Sequence, residues 1–162
     1  MRELKIGERI PIEAGGEAVV SRELGRGGQG IVYLVRYNGR EYALKWYFIS
    51  RIKNPEAFRN NLRKNIEDGA PEGGKQFIWP LFLTETKKFG YLMRLAPSGY
   101  ESFTDIYNGY RWEKPRVKGQ PARKIKVKFA SLDVMLTAAI NIVKAFRALH
   151  LSGKSYQDLN DG

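Results

Sequence analysis

The sequence has no cysteine and a single histidine, His150. The missing cysteines exclude a disulfide framework and a thiolate-based metal site, and they are compatible with a reducing cytosol. One histidine cannot form a histidine metal cluster by itself. We therefore expect neither a disulfide-stabilised domain nor a metal centre built from side chains of this chain.

The sequence also lacks a recognisable export signal or membrane span. Its N-terminus has no apolar run of the kind found in signal peptides. The most apolar stretch, Val134 to Leu151, is interrupted by Asn141, Lys144 and Arg147, so it predicts a buried helix instead of a membrane-spanning one. We expect a cytoplasmic protein without a membrane partner.

What the sequence does have is positive charge, and that charge is unevenly placed. The 162 residues, enough for one domain with a sizeable core, carry a net charge of +11. The segment from Arg111 to Lys128 holds eight Lys or Arg residues against one Glu. Such a run could contact nucleic-acid phosphates, but it contains two prolines and a glycine and matches no nucleic-acid module. A solvated basic loop is the better interpretation, and we do not expect a nucleic-acid partner.

The first half of the chain has the pattern of antiparallel strands. Three segments are rich in β-branched and aromatic residues: Ala18–Leu24, Ile31–Tyr37 and Glu41–Phe48. Asn38-Gly39 predicts a type I′ turn between the last two, because that turn needs positive φ at both central residues. Apolar runs at 76–84 and 89–95 predict a second hairpin, and Arg9–Ile12 is a candidate further strand.

Helix signals flank the second hairpin. Asn54-Pro55 predicts the start of a helix, with Asn as the cap and Pro in the first turn, and the helix ends near Gly69. Five antiparallel strands, with this helix after the third, make up the predicted first lobe. Beyond it we expect a short helix at 103–107, the basic loop, and a long helix capped by Ser131. Apolar residues cover most of the circumference of that long helix, which predicts that it is largely buried.

Gly25, Gly27 and Gly30 have the spacing G-x-G-x-x-G, which two unrelated folds use to hold phosphate groups. In the dinucleotide-binding fold the glycines open a helix, whereas here a strand and a tight hairpin follow them. Glycines at a strand-to-strand turn let backbone N–H groups approach phosphate oxygens without an intervening Cβ. Taken alone, the loop could equally be an ordinary glycine-rich hairpin.

Two further features follow the glycine loop. Val32 lies two residues past the last glycine, and Ala43-Leu44-Lys45 lies on the next predicted strand. These residues resemble the protein-kinase family, whose signature is a G-x-G-x-x-G-x-V loop followed by V-A-I-K. Strand alternation places Ala43 and Lys45 on the same face. The resemblance implies that ATP binds beneath the loop, with Lys45 beside its phosphates.

The end of the chain resembles the end of kinase helix E and the catalytic loop. The matches at the family's offsets are Leu149-His150, Gly153 and Asp158-Leu159. The resemblance implies that Asp158 is the catalytic base, which accepts the proton of the substrate hydroxyl. Tyr156-Gln157 stands where the family has His-Arg, and Asn160 stands where it has a phosphate-contacting lysine.

The resemblance implies the remaining site residues. Glu67, with Glu56 as the alternative, is the candidate helix-C glutamate that pairs with Lys45. Met93 takes the gatekeeper position at the back of the pocket. The residues implied to contact nucleotide are Leu24, Gly25, Gly27, Gly30, Val32, Ala43 and Lys45, with Met93, Arg94, Leu95 and Ala96 as the hinge.

The resemblance implies an α+β fold. Residues 1–97 would be a kinase N-lobe, with a five-stranded antiparallel sheet plus helix C, and residues 98–162 a truncated, mainly helical C-lobe. The family's magnesium-binding Asn and Asp-Phe-Gly motif would lie beyond Gly162. The chain by itself is therefore expected to bind nucleotide weakly and to transfer phosphate very poorly, and the remainder of its own C-lobe is an expected partner.

The leading functional hypothesis is a eukaryotic-like bacterial Ser/Thr protein kinase that uses ATP and Mg²⁺ to phosphorylate protein substrates. A pseudokinase or docking module is the main alternative, which Asn160 and the Tyr156-Gln157 pair favour. A small-molecule phosphotransferase fits less well, because such relatives seldom keep the complete glycine loop. A basic nucleic-acid binder acting through residues 111–128 is the remaining hypothesis.

Overall fold

The computed structural model describes residues 3–72, 76–85, 90–97, 103–113 and 121–155. The chain forms two compact units. The first unit comprises residues 1–70 and 75–96, and the second comprises residues 71–74 and 97–162.

An antiparallel sheet dominates the described part of the first unit. Its strands are β1 (Arg9–Pro11), β2 (Glu17–Gly27), β3 (Gly30–Tyr37), β4 (Arg40–Tyr47), β5 (Pro80–Leu83) and β6 (Gly90–Met93). They lie in the order β1-β2-β3-β4-β6-β5. The predicted turn at Asn38-Gly39 is confirmed, with φ of 47° and 74° at these residues. The five predicted strands are present, and the candidate strand at residues 9–12 adds a sixth as β1.

The sheet curls until its first and last strands meet. Ile12 forms a bridge with Thr84. On either side of the bridge, the Glu13 N–H donates to the Leu83 carbonyl at 2.9 Å and the Glu85 N–H donates to the Pro11 carbonyl at 3.0 Å. The side chains enclosed by the curled sheet form its core: Leu4, Ile10, Ile12, Ala18, Val20, Ile31, Tyr33, Val35, Tyr37, Leu44, Trp46 and Leu92.

One helix, α1 (Pro55–Asp68), packs on the outside of this sheet. The Asn54 side chain accepts from the Ala57 N–H at 3.0 Å, and Pro55 occupies the first turn, as the sequence predicts. Leu62 is buried against the sheet, flanked by Phe58 and Ile66 one turn away on either side. A 3₁₀ turn at Ile49–Arg51 connects β4 to this helix.

The second unit contains two further helices and a small hairpin. Helix α2 (Phe103–Asn108) is followed by the paired strands β7 (Tyr110–Glu113) and β8 (Arg123–Lys126) and by the long helix α3 (Leu132–Leu151). The predicted basic loop is therefore wrong for the described residues, because its two ends pair as a β-ribbon. Segment 110–113 alternates aromatic and charged residues, and segment 123–126 has Ile125 between two lysines. Such alternation supports strands.

The start of α3 agrees with the sequence, but its burial does not. The Ser131 hydroxyl accepts from the Val134 N–H at 3.3 Å, which confirms the predicted cap. The prediction of a largely buried helix is wrong, since Leu132, Ile140 and Val143 are each more than half exposed. Among the described residues of α3, Leu149 is buried, while Met135, Ile142 and Val143 line a groove of about 590 Å³ together with Ile106 and Phe129. By length and composition α3 also matches a membrane-spanning helix, a test that the core helices of soluble proteins pass as well.

Candidate functional site

The strand register of the first unit places several predicted site residues side by side. Lys45 on β4 lies opposite Val32 on β3, and Val32 lies opposite Gly25 on β2. Two residues before Lys45 on β4, Ala43 lies opposite Met93 on β6. Directly paired residues of an antiparallel sheet share a face, and so do residues two apart on one strand. Val32, Ala43, Lys45 and Met93 therefore form one face beneath the glycine-rich turn, as the strand alternation in the sequence predicts.

The glycine-rich turn itself is tighter than the sequence suggests. Strand β2 continues through Gly27, which pairs with Gly30, so that only residues 28 and 29 form the connection. Irregularities in the register lie between Val20 and Arg22 and between Glu23 and Gly25. Leu24 falls within the second of these irregularities and is 38% exposed.

The glycines of this turn differ in whether the fold has room for a side chain at their positions. A Cβ on Gly30 would lie 2.2 Å from the backbone oxygen of Trp46, so the pairing of β3 with β4 excludes a side chain there. A Cβ on Gly25, Gly27 or Gly28 would meet no atom within 4 Å, and none of the three has a positive φ. The fold therefore does not require glycine at these three positions.

The ammonium group of Lys45 lies beside an aromatic cluster. Its Nζ is 5.9 Å from the ring centroid of Tyr47, which lies two residues further along β4 on the same face. The Tyr47 ring packs edge-on against Phe58 of α1 at 5.1 Å and also contacts Tyr91 at 6.0 Å. Burial raises the pKa of Tyr47 far above its usual value, and the neighbouring Tyr91 adds to the rise. The cluster thus presents a neutral phenol near Lys45.

The candidate partner of Lys45, Glu67, lies elsewhere on α1. It is an exposed residue in the last turn, where its charge helps to raise the pKa of Arg63 after the larger effects of hydrogen bonding and charge from Glu13. Glu56 is also exposed, in the first turn. Within the described part of the chain, Lys45 forms no ion pair with either residue. The pairing of Lys45 with Glu67 stays a prediction.

Tyr47 and Tyr91 are neighbours of Lys45 that the sequence analysis did not include. The signal for Tyr47 was available, because residues two apart on a strand share a face. Tyr91 could be found only from the pairing of β4 with β6, which places it directly opposite Lys45.

The hinge residues continue from the end of β6. Met93 is half-buried at the end of that strand, followed by exposed Arg94, half-buried Leu95 and exposed Ala96. The predicted catalytic base, Asp158, lies outside the described residues. Among the residues that the structure describes, no group of three or more His, Cys, Asp or Glu side chains could hold a metal ion.

The arrangement fits a phosphate-bearing ligand. Gly25, Gly27 and Gly28 leave room for a ligand to approach the backbone closely. On the face defined above, Lys45 lies two residues from the small Ala43, which lies opposite Met93. Backbone N–H groups and a lysine ammonium are the groups that bind phosphate in glycine-rich turns.

No protein-family model and no curated protein matches the chain. Among solved structures, the chain is similar to the kinase domain of Mycobacterium tuberculosis PknI, determined as a mutant, with a TM-score of 0.63 and 17% sequence identity. The similarity covers 99% of this chain and 57% of that one, so the chain spans a little over half of the kinase domain it matches. At this identity the likeness establishes the fold: an α+β protein-kinase-like N-lobe followed by part of a helical lobe. It confirms the resemblance noted in the sequence at the level of the fold.

Proposed function

We propose that this protein, which has a protein-kinase-like fold, binds ATP in its first unit, uses Mg²⁺ as a second cofactor and belongs to a Ser/Thr protein kinase. The observation that carries the proposal is that Gly25, Gly27 and Gly28 could each hold a Cβ without a steric clash. A Cβ at these glycines would meet no atom within 4 Å, and none of the three has a positive φ. The close approach of a ligand supplies a physical reason for them.

In this proposal each residue on the face has a defined role. The loop N–H groups hold phosphate oxygens, and Lys45 neutralises their charge. Val32 and Ala43 form the apolar walls around the adenine, together with Leu24. Met93 closes the back of the pocket, and Arg94, Leu95 and Ala96 form the hinge along the adenine edge.

The remaining parts of the proposal concern the catalytic loop and the surroundings of the protein. Asp158 would accept the proton of a Ser or Thr hydroxyl on a protein substrate. The side chains that hold magnesium in protein kinases have no counterpart among residues 1–162. We place the protein in the cytoplasm, where ATP and reduced protein substrates are available.

A thermal-shift titration with ATP and Mg²⁺ tests this assignment, because a ligand that binds only the native state raises Tm as its concentration rises. We expect a concentration-dependent rise for the wild-type protein and none for the Gly25→Ala/Gly27→Ala double variant. Lys45→Met should reduce the rise, whereas Lys53→Met, which removes an exposed lysine outside the strands of the sheet, should leave it unchanged. No rise with the wild-type protein, or equal rises for all four proteins, would overturn the proposal.

A second candidate, nucleotide binding without phosphoryl transfer, is favoured by the surroundings of Lys45. The described residues give Lys45 an aromatic neighbour in place of a carboxylate partner, and protein kinases need the lysine–glutamate pair for transfer. Transfer of the γ-phosphate to a general protein substrate separates the two candidates. Nucleotide-dependent stabilisation without transfer by the full-length protein would support the second candidate, and Lys45-dependent transfer would exclude it.

A further inference from the structure

The β7–β8 ribbon of the second unit carries its aromatic and basic side chains on a single face. The register pairs Tyr110 with Lys126 and Trp112 with Lys124. Because paired residues share a face, these four side chains project together. The opposite face carries Ile125, which is half-buried. We call the face formed by Tyr110, Trp112, Lys124 and Lys126 the ribbon face.

The ribbon face is strongly positive and exposed. Lys124 and Lys126 are both exposed, and Trp112 is 62% exposed. No ion pair within the described residues engages either lysine. Lys128 adds a further positive charge two residues after Lys126, while Arg123 lies opposite Glu113 on the other face of the ribbon. Glu113 is the single acidic residue in segments 110–113 and 121–128. A large exposed aromatic ring beside unneutralised cations is typical of a surface that binds a partner.

The spacing of the lysines suggests the shape of that partner. Lys124 and Lys126 are two residues apart on a strand, which separates them by about 6.6 Å at a rise of about 3.3 Å per residue. An extended peptide with acidic residues at alternate positions has the same repeat. The ribbon is a two-stranded sheet in the described residues, so each strand has one edge free of strand pairing, where a peptide could add as a third strand. Opposite charges that face each other across paired strands stabilise the pairing.

The aromatic residues favour a peptide over a nucleic acid. The Lys124 ammonium lies 3.8 Å from the centroid of the Tyr110 ring and covers one of its faces. Tyr110 and Trp112 also meet edge to face, with ring centroids 6.2 Å apart. That leaves Trp112 as the open stacking surface on this face, whereas single-stranded nucleic acid is bound by stacking successive bases on several aromatic rings.

We propose that the ribbon face binds an extended acidic segment of a partner protein, in which acidic residues alternate with uncharged ones. The segment pairs along the edge of β8 with its carboxylates facing Lys124 and Lys126. Trp112 provides apolar contact area at the end of the face. This interaction does not depend on nucleotide binding by the first unit.

The test uses the full chain and a labelled peptide of alternating glutamate and threonine, with fluorescence anisotropy as the measurement. We expect salt-sensitive binding that the Lys124→Glu/Lys126→Glu double variant weakens by about tenfold or more, as one lost contact of about 1.4 kcal/mol would. The matched control Lys53→Glu/Lys64→Glu makes the same charge change at exposed lysines of the first unit and should bind within about twofold of wild type. Trp112→Ala should also weaken binding, and both ribbon variants should keep the wild-type far-ultraviolet circular dichroism spectrum.

Three results would overturn the proposal. Equal binding of a peptide with the same composition but all glutamates in one block would show attraction by charge alone. Tighter binding of oligothymidylate in the same buffer would identify a nucleic-acid surface. No binding of the alternating peptide in the millimolar range would mean that the lysines only keep the edge from pairing with another copy of the chain.

Discussion

At the scale of single residues, the glycine-rich turn combines two different reasons for glycine. Gly30 is needed where β3 passes the backbone of β4, while Gly25, Gly27 and Gly28 face open space. The spacing G-x-G-x-x-G does not distinguish these reasons, because the contact of Gly30 with Trp46 depends on how β3 and β4 pair.

This difference predicts opposite effects of the same substitution. Gly30→Ala should destabilise the protein by about 2 kcal/mol or more, since the added Cβ must displace a backbone carbonyl. Gly25→Ala should be neutral or slightly stabilising, because alanine restricts the unfolded chain without creating a clash. Urea denaturation of both variants measures the free energy of unfolding directly. Equal losses in the two variants would contradict this account of the turn.

The surroundings of Lys45 show where reasoning from the sequence ends. Its strand and its shared face with Ala43 follow from local alternation, and the structure has both. Its cross-strand neighbour Tyr91 comes from β6, and Phe58, which packs on the neighbouring Tyr47, comes from α1. Both positions depend on packing between elements. The sequence offered Glu67 through the family resemblance, whereas local geometry places Tyr47 beside the ammonium.

At the scale of elements, two kinds of contact hold helix α1: apolar packing and hydrogen bonds from its arginines. Its apolar side packs on the sheet through Leu62, and its arginines bind the segment that follows β1. Arg59 donates to the Glu13 carboxylate and to the Thr84 carbonyl, while the Arg63 Nη2 donates to Glu13 Oε1 at 2.9 Å. Burial raises the pKa of Glu13, but the hydrogen bonds from Arg63 and Arg59 outweigh burial, so that the pKa lies below its usual value.

The lowered pKa of Glu13 predicts a dependence of stability on pH. Because the carboxyl has a lower pKa in the folded state than in the unfolded state, its stabilisation is present above the unfolded pKa and is lost as the pH falls through the folded pKa. Glu13→Gln should therefore cost about 1 kcal/mol near neutral pH and less in acid. Urea denaturation at several pH values measures the free energy of unfolding. Hydrogen exchange of the α1 amides shows whether the lost stability affects α1.

Glu17→Gln is the matched control for this prediction. Glu17 pairs with a single exposed arginine, Arg9, at 3.2 Å, so its loss should change stability by less than about 0.5 kcal/mol. If both variants lose the same stability, or if the loss in Glu13→Gln does not shrink in acid, the two arginines do not hold α1 through Glu13.

The elements that the sequence predicted correctly are those whose signals are local. Asn38-Gly39 at a hairpin, Asn54 at a helix start and Ser131 at another each act within a few residues. The burial of α3 was predicted wrongly because it depends on which other elements cover the helix. The β7–β8 ribbon was missed because charge dominated the interpretation of residues 111–128, although Tyr110 and Trp112 alternate with charged residues.

At the scale of the whole molecule, the sheet of the first unit closes on itself. The bridge between Ile12 and Thr84 joins the two ends of the sheet, so the residues before β2 complete the wall around the core. Local pattern suggested a strand at residues 9–12, but contact with residues some seventy positions later depends on the curl of the whole sheet.

A pair of substitutions in this first segment tests the closure. Ile12 is fully buried and Ile6 is 78% exposed, so the same change to alanine should have very different effects. Ile12→Ala should cost about 2–5 kcal/mol through lost burial and the cavity left behind, and Ile6→Ala less than about 0.5 kcal/mol. Thermal or urea unfolding of both variants compares the two values under identical conditions. A small effect at Ile12 would mean that the residues before β2 pack only loosely on a sheet that is stable without them, and the kinase-like lobe would then consist of β2–β6 and α1 alone.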